Sequence, residues 1–260
     1  MKVAAIQFAP VFRAKRENLR RLAQMVEEAA GNGARLIVMP ELATTGYSFM
    51  SRDEARAEAE FITPDAFAYN LTSTTPPVDP APTMRVMRAL ASKFNVHLVW
   101  GMVEQAVGRD ALYNAQVYMS PIGEFVSYHK INRWGNDYLW SNAGRSNPPI
   151  IDATDLGVRL GLLVCRDVRD KANDKWTDFY SPGDADIVCL SANWGDGGFP
   201  AVSWMDFVHD NKAALIVSNR WGQETCNNFG EGGVCVITKD GEVQCAGLQW
   251  SADCIVYGEL

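Results

Sequence analysis

Aliphatic runs just long enough for one buried strand recur along this chain, and stretches with helical periodicity lie between them. That alternation constrains the fold more than any other feature. A strand that is apolar on nearly every residue has no face to offer water, so it needs packing on both sides, and alternating helices supply it. Residues 2–8 read as a first strand. Leu19, Leu22, Met25, Val26 and Ala29 then repeat at helical spacing within a helix over 15–31, which Gly31, Asn32 and Gly33 stop. Ala34 to Met39 forms a second strand closed by Pro40, a βαβ beginning.

The pattern continues. Residues 62–82 are rich in Thr, Pro and Ala without a period, which predicts an irregular insertion before a helix over 82–94. Strands come next at 96–102, 111–119 and 124–129, the last two joined by a hairpin turn at Ser120-Pro121-Ile122-Gly123. After a polar loop bearing tryptophans, 158–164 is a strand that runs straight into Cys165, and the charged stretch 168–180 predicts a helix. Strands at 185–191 and 213–218, a helix near 200–212 and a terminal meander complete the set. No Gly/Ser or Pro linker divides the 260 residues, so 1–260 is expected to form a single α/β domain built from two βαβ-like halves.

A formal charge of −7, with both signs interspersed, argues against a nucleic-acid or anionic-membrane partner and suits a small neutral or cationic substrate. Gln7 interrupts the short apolar run at the N-terminus, which therefore reads as a strand and not a signal peptide, and no stretch is long enough to span a bilayer. Six cysteines read as reduced thiols of a cytoplasmic protein. Cys226, Cys235, Cys245 and Cys254 are evenly spaced, but no C-x-x-C pair offers zinc-ligand spacing, and the last three fall in strand-like sequence around the Asp240-Gly241 turn. No metal or cofactor is expected.

Three strand ends carry reactive groups: Glu41 after Met39-Pro40, Lys130 after Tyr128-His129, and Cys165 after Leu162-Leu163-Val164. The expectation is that they gather at one end of a sheet, where α/β folds place their chemistry. A free thiol, with a pKa of about 8.5, needs a base or a positive charge to become a nucleophile at neutral pH. Glu41 supplies the base if burial raises its carboxyl, Lys130 the cation for a tetrahedral oxyanion, and the backbone N–H of Arg166 a second oxyanion donor. The histidines are poorer partners for Cys165, since His97 alternates into a strand and His129 faces away from its neighbour Lys130. No glycine-rich phosphate loop supports a nucleotide-binding alternative.

Along nearly its whole length the chain resembles the nitrilase, or carbon–nitrogen hydrolase, superfamily. The resemblance rests on Met39-Pro40-Glu41-Leu42 with Gly46-Tyr47, on Tyr128-His129-Lys130, and on the aliphatic strand into Cys165 with Asp167 beyond it. Val3 to Pro10, Trp100 to Glu104 and Ser218-Asn219-Arg220 add weaker matches in the same order. It implies an αββα sandwich, association as a homodimer or larger homo-oligomer through helices near Cys165 and the C-terminal segment, and hydrolysis of a non-peptide amide through a thioester. It also implies substrate contacts from Trp134, Asn193, Trp194 and Tyr47, while Trp140 suits core packing equally.

The chain departs from the family at four places, one of them a segment at 62–80 longer than is usual there. Asp137 stands where many relatives carry a second glutamate, Arg166 follows the cysteine, and Phe207 to Asn211 replaces a common Arg-Ala-x-Glu-Asn. Hydrolysis of a small carboxamide is therefore the expected activity. A nitrile or N-carbamoyl substrate, or a non-catalytic binding protein retaining the fold, stand as alternatives.

Overall fold

The computed structural model describes residues 1–62, 81–168, 179–195 and 198–260. The chain runs β1 (Lys2–Gln7), α1 (Lys15–Gly31), β2 (Leu36–Val38), α2 (Arg52–Glu58), β3 (Glu60–Phe61), α3 (Pro82–Phe94), β4 (His97–Gln105), β5 (Leu112–Met119) and β6 (Phe125–His129). It continues with the one-turn helix α4 (Asp137–Trp140), β7 (Ile150–Ala153), β8 (Val158–Val164), β9 (Ile187–Ala192), α5 (Val202–Asn211) and β10 (Ala214–Asn219). The last segments are β11 (Gln223–Glu224), β12 (Asn227–Asn228), β13 (Cys235–Ile237), β14 (Val243–Gln244) and β15 (Cys254–Glu259).

Apart from β11 and β12, which pair only with each other, these strands make two facing mixed sheets. One is ordered β15-β1-β2-β4-β5-β6, with β3 alongside the far end of β4; the other is ordered β14-β13-β10-β9-β8-β7. The alternation of side chains along each strand explains why both faces are apolar. In β1, Val3 and Ala5 join Leu162, Val164, Cys189 and Val217 between the sheets. Ala4 and Ile6 face outward onto Leu22 and Val26 of α1 and Met84 and Met87 of α3. On the opposite side Trp204, Phe207 and Val208 of α5 cover the second sheet. The result is an αββα sandwich, and β15 pairs antiparallel with β1 from Lys2↔Glu259 to Gln7↔Cys254. Full burial of a residue such as Leu22 is worth about 2 kcal/mol.

Polar stitches cross between the sheets near one end. Ser191 Oγ donates to the Met39 carbonyl at 2.7 Å, and Gln116 Nε2 donates to Ser191 Oγ at 2.9 Å and to the Cys189 carbonyl at 3.0 Å. Ser218 Oγ donates to the Ile6 carbonyl at 2.6 Å. Such buried contacts fix the stagger of the two sheets, which a purely apolar interface would leave free to slide.

Several expectations are refined. Glu41, Lys130 and Cys165 end strands of two sheets, not one, because an aliphatic run does not reveal which sheet it joins. The hairpin turn at 120–123 is present, with Gly123 at φ +86°. The insertion at 62–82 falls mostly, and the helix at 168–180 almost wholly, outside the described residues; β8 leads directly into a 3-10 turn, Cys165–Val168. α2 went unanticipated although its signal is present. Ser51 Oγ accepts from Glu54 N at 3.2 Å while Glu54 Oε2 accepts from Met50 N at 2.8 Å, a capping arrangement legible as Ser-x-x-Glu.

Candidate active site

Glu41 is placed by an unusually close approach of two backbones. Met39 N donates to the Val99 carbonyl at 2.8 Å and Gly101 N to the Pro40 carbonyl at 3.1 Å, so β2 and β4 stay zipped past the end of β2. A Cβ on Gly101 would lie 2.3 Å from Leu42 N and 2.6 Å from Glu41 Cα, which admits only glycine there. The chain then turns sharply, with Leu42 at φ +49° and its carbonyl accepting from both Thr45 N and Gly46 N. Glu41 is left fully buried.

Lys130 is held by its backbone on both sides. Its N–H donates to the Asn114 carbonyl at 2.9 Å and its carbonyl accepts from Gly144 N at 2.8 Å. Cys165 opens the 3-10 turn with φ +47°, a left-handed conformation that costs a residue other than glycine on the order of 1 kcal/mol. A strained strand-to-turn corner of this kind presents its side chain away from both the strand and the turn.

The ammonium of Lys130 sits between two carboxylates, 2.7 Å from Glu41 Oε1 and 2.7 Å from Asp137 Oδ2, and all three groups are buried. Asn114 bridges the same pair from β5, donating through Nδ2 to Glu41 Oε1 at 2.7 Å and to Asp137 Oδ1 at 3.0 Å. Trp134 N donates to Asp137 Oδ2 at 3.1 Å. The shorter carboxylate at position 137 thus reaches Lys130 directly from α4. Asn114 escaped sequence reasoning; its one signal is an amide, together with that of Gln116, in the middle of a strand that is otherwise aliphatic and aromatic.

The electrostatics assign different states to these groups. Burial pulls the Lys130 ammonium down, but the charges of Asp137 and Glu41 outweigh it and hold the group well above its ordinary value, so it stays charged. Burial pushes the Glu41 carboxyl up, Lys130 opposes, and Asp137 adds to the rise. Burial and then the Glu41 charge push the Cys165 thiol up, against Lys130 and a backbone hydrogen bond from Asn193. The raised Glu41 carboxyl is thereby poised to take a proton.

Asp167 latches the two halves of the site together. Its carboxyl accepts from Tyr128 Oη and Asn132 N, both at 2.8 Å, and from Val164 N at 3.3 Å, which joins the segment flanking Lys130 to the one ending in Cys165. Burial pushes this carboxyl up to about 7 against those donors.

Among the described residues, a cleft of about 400 Å³ counted out to its mouth is lined by Trp134, Cys165, Arg166, Asn193, Trp194, Gly195, Asn228 and Phe229. Of the sequence-predicted residues, Cys165, Trp134, Arg166, Asn193 and Trp194 therefore face it, while Glu41 and Lys130 are not in its lining. Asn193, oriented by its hydrogen bonding, turns its side-chain nitrogen to the Glu41 carbonyl at 3.2 Å. Asn219 clamps the Trp194 backbone, accepting from Trp194 N at 2.8 Å and donating to its carbonyl at 3.0 Å.

Tyr47 sits behind the cleft and donates through its hydroxyl to the Trp134 carbonyl. Its backbone is fixed by Glu224, whose Oε1 accepts from Tyr47 N at 2.7 Å and Ser48 N at 2.8 Å, while Oε2 pairs with buried Arg220 at 3.0 Å. Trp140 packs in the core against Phe49 with ring centroids 5.6 Å apart. His97 bonds Tyr118 Oη and Asp155, His129 stacks on Tyr113 and pairs with Glu104, and His209 is exposed. None of the three is engaged with Cys165. All six cysteines are free, and among the described residues no group of side chains is arranged to hold a metal ion.

Comparison with known proteins agrees with this frame. The family model described as carbon–nitrogen hydrolase matches residues 2–260. A protein N-terminal amidase of Schizosaccharomyces pombe is 25% identical, with 100% of this chain aligned to 99% of that protein. A chloroplastic omega-amidase of Arabidopsis thaliana is 29% identical over 60% of this chain and 40% of its own length. Among solved structures, the NitN amidase of Nesterenkonia sp. AN1 superposes with a TM-score of 0.77 at 20% identity, covering 100% of this chain and 92% of that one. Nit3 of Saccharomyces cerevisiae gives 0.78 at 19% identity, covering 99% and 89%.

Proposed function

The chain belongs to the carbon–nitrogen hydrolase family, and we propose that it hydrolyses a small non-peptide carboxamide through a thioester on Cys165. The observation that carries this reading is the buried Glu41–Lys130–Asp137 cluster within electrostatic reach of a nucleophile that lines an open cleft. A buried ion cluster of this kind gives little net stability, so its presence beside a strained cysteine points to chemistry.

The proton inventory supports a coupled first step. The thiolate is disfavoured while Glu41 is charged, and Glu41 is already raised by burial, so the Sγ proton passes to Glu41 as Sγ attacks the amide carbon. Protonation removes the repulsion between Glu41 and the thiolate and leaves Lys130 facing it. The tetrahedral oxyanion takes its hydrogen bonds from the Arg166 N–H and the Lys130 ammonium, a preorganised pair worth about 3 kcal/mol per donor. Glu41 returns the proton to the leaving nitrogen, and ammonia or an amine departs. Water then gives a proton to Glu41 and attacks the thioester, which collapses to the acid and restores the thiol.

Trp134, Asn193 and Trp194 bound the acyl site, with Tyr47 holding Trp134 in place. Relatives named amidases support this reaction class, and a glutamate-to-leucine mutant of the Nesterenkonia amidase has been solved with the acetamide moiety of fluoroacetamide added covalently at its active-site cysteine. A relative named nitrilase from Pyrococcus abyssi keeps a nitrile reading in play. That reading requires acid to form from a nitrile without free amide accumulating. We take residues 1–260 as one unit, supported by the β1–β15 pairing, working as a homodimer in the reducing cytoplasm, which the six free thiols favour. The test is ammonia release from a panel of linear amides by the wild type and C165A. Turnover is expected in the first and none in the second; equal turnover would overturn the mechanism.

A further inference from the structure

Beside the cleft at Cys165, and sharing Trp194, Gly195 and Phe229 with it, opens a second compartment of about 830 Å³ counted to its mouth. Phe199, Trp204 and Trp250 extend its aromatic lining, and Glu231 is the carboxylate among its described residues. The rings meet edge to face: Phe199 and Trp250 at 88° with centroids 5.1 Å apart, Phe199 and Trp204 at 84° and 6.4 Å, Trp194 and Trp204 at 61° and 5.7 Å. Aromatic faces carry negative potential, so a compartment walled by several of them favours a cation.

Glu231 is held in this wall by its backbone while its side chain is left over. Its carbonyl accepts from Ser251 N at 2.8 Å, and the next turn is pinned by Gly233 N donating to buried Gln7 Oε1 at 2.6 Å. Gly232 and Gly233 sit at φ +93° and +123°, and a Cβ on Gly233 would strike Phe199 at 2.6 Å, so the loop packs tightly against the aromatic wall. The Glu231 carboxylate nevertheless makes no hydrogen bond or ion pair among the described residues and is exposed. A second group is also unmatched: the indole N–H of Trp204 is buried without a partner among the described residues. Close packing leaves no open volume of this size beside tryptophan rings.

We propose that this compartment receives the end of the substrate remote from the scissile amide, and that this end carries an ammonium group with no carboxylate beside it. The proposal rests on amide hydrolysis at Cys165. Glu231 supplies the opposite charge and the aromatic rings the cation–π surface, and the shared Trp194, Gly195 and Phe229 mark where the two compartments adjoin. An anionic tail would meet Glu231 and be rejected.

Three amides with one linear frame test it: 4-aminobutanamide, pentanamide and glutaramic acid, ending in ammonium, methyl and carboxylate. The readout is kcat/KM from ammonia release. The wild type is expected to favour 4-aminobutanamide over pentanamide by about tenfold or more, with glutaramic acid poorest. E231Q should cut the 4-aminobutanamide to pentanamide ratio by about tenfold, and E231K should move preference toward glutaramic acid. A wild-type ratio near one, or a ratio unmoved by E231Q, would overturn the proposal. Calorimetric binding of 4-aminobutanamide and pentanamide to C165A, with and without E231Q, separates the two levels. Absence of turnover on every amide alongside Glu231-dependent ammonium binding would refute the hydrolysis and uphold the compartment, whereas equal binding of both ligands would refute the compartment.

Discussion

Asp137→Asn removes one charge from the buried cluster while keeping its shape. The carboxylate accepts from Lys130 Nζ and Trp134 N on one oxygen and from Asn114 Nδ2 on the other, so it meets donors on both sides. An amide offers one oxygen, and its nitrogen must face either the Lys130 side or the Asn114 side. A buried donor without an acceptor costs about 1–3 kcal/mol, and breaking a buried pair outright about 3–5 kcal/mol. Glu41 still holds Lys130, so a loss of about 2–4 kcal/mol is expected from urea unfolding.

The kinetic signature differs from mere destabilisation. Burial is the largest cause of the raised Glu41 carboxyl, and the Asp137 charge adds to it. Removing that charge lowers the Glu41 pKa. Because Glu41 must be unprotonated to accept the thiol proton, the acid limb of kcat/KM should move to lower pH in D137N. The plateau should fall on the order of 100-fold as Lys130 loses one of its two anchors. The assay is ammonia release from the best amide across pH, on protein shown to be folded. An acid limb that stays in place or moves to higher pH would refute the reasoning.

Other substitutions probe the same contacts. The raised Asp167 carboxyl keeps its proton in the folded state where the unfolded chain has lost it, so its stabilising effect is full below about pH 4 and is lost as pH rises through about 7. D167N should therefore flatten the difference in urea midpoint between pH 5 and pH 8, while an unchanged slope would contradict the assignment. Gly101→Ala forces a Cβ to 2.3 Å from Leu42 N and should cost about 1–3 kcal/mol and at least 100-fold in kcat/KM, since Glu41 must shift. Normal activity would mean the Glu41 corner is pliant. Glu224→Gln leaves buried Arg220 without its ion partner and should lower stability by about 3–5 kcal/mol, read from the urea midpoint.

The sequence was most legible where punctuation and periodicity coincide. α1 and α3 begin and end at the residues expected, because Gly31-Asn32-Gly33 and Pro82 mark boundaries the backbone must respect. Glu41 and Cys165 were visible because each breaks an aliphatic run at a strand end, and Lys130 because it ends the hairpin strand at Tyr128-His129. The resemblance carried the two sheets of the sandwich, but which strand joins which sheet was not visible, since buried strands of either sheet look alike. Asn114 was hidden for a related reason: its role depends on what lies across β5 from another part of the chain, 73 residues from Glu41 and 23 from Asp137.

The central claim is that turnover passes through an acyl group on Cys165. It is tested most directly by rapid acid quench during steady turnover of the best amide, followed by intact mass and peptide mapping. The expected result is a mass increase equal to the acyl group, located on the peptide holding Cys165 and absent in C165A. Turnover with an unmodified Cys165 peptide at every quench time, and activity retained in C165A, would contradict it.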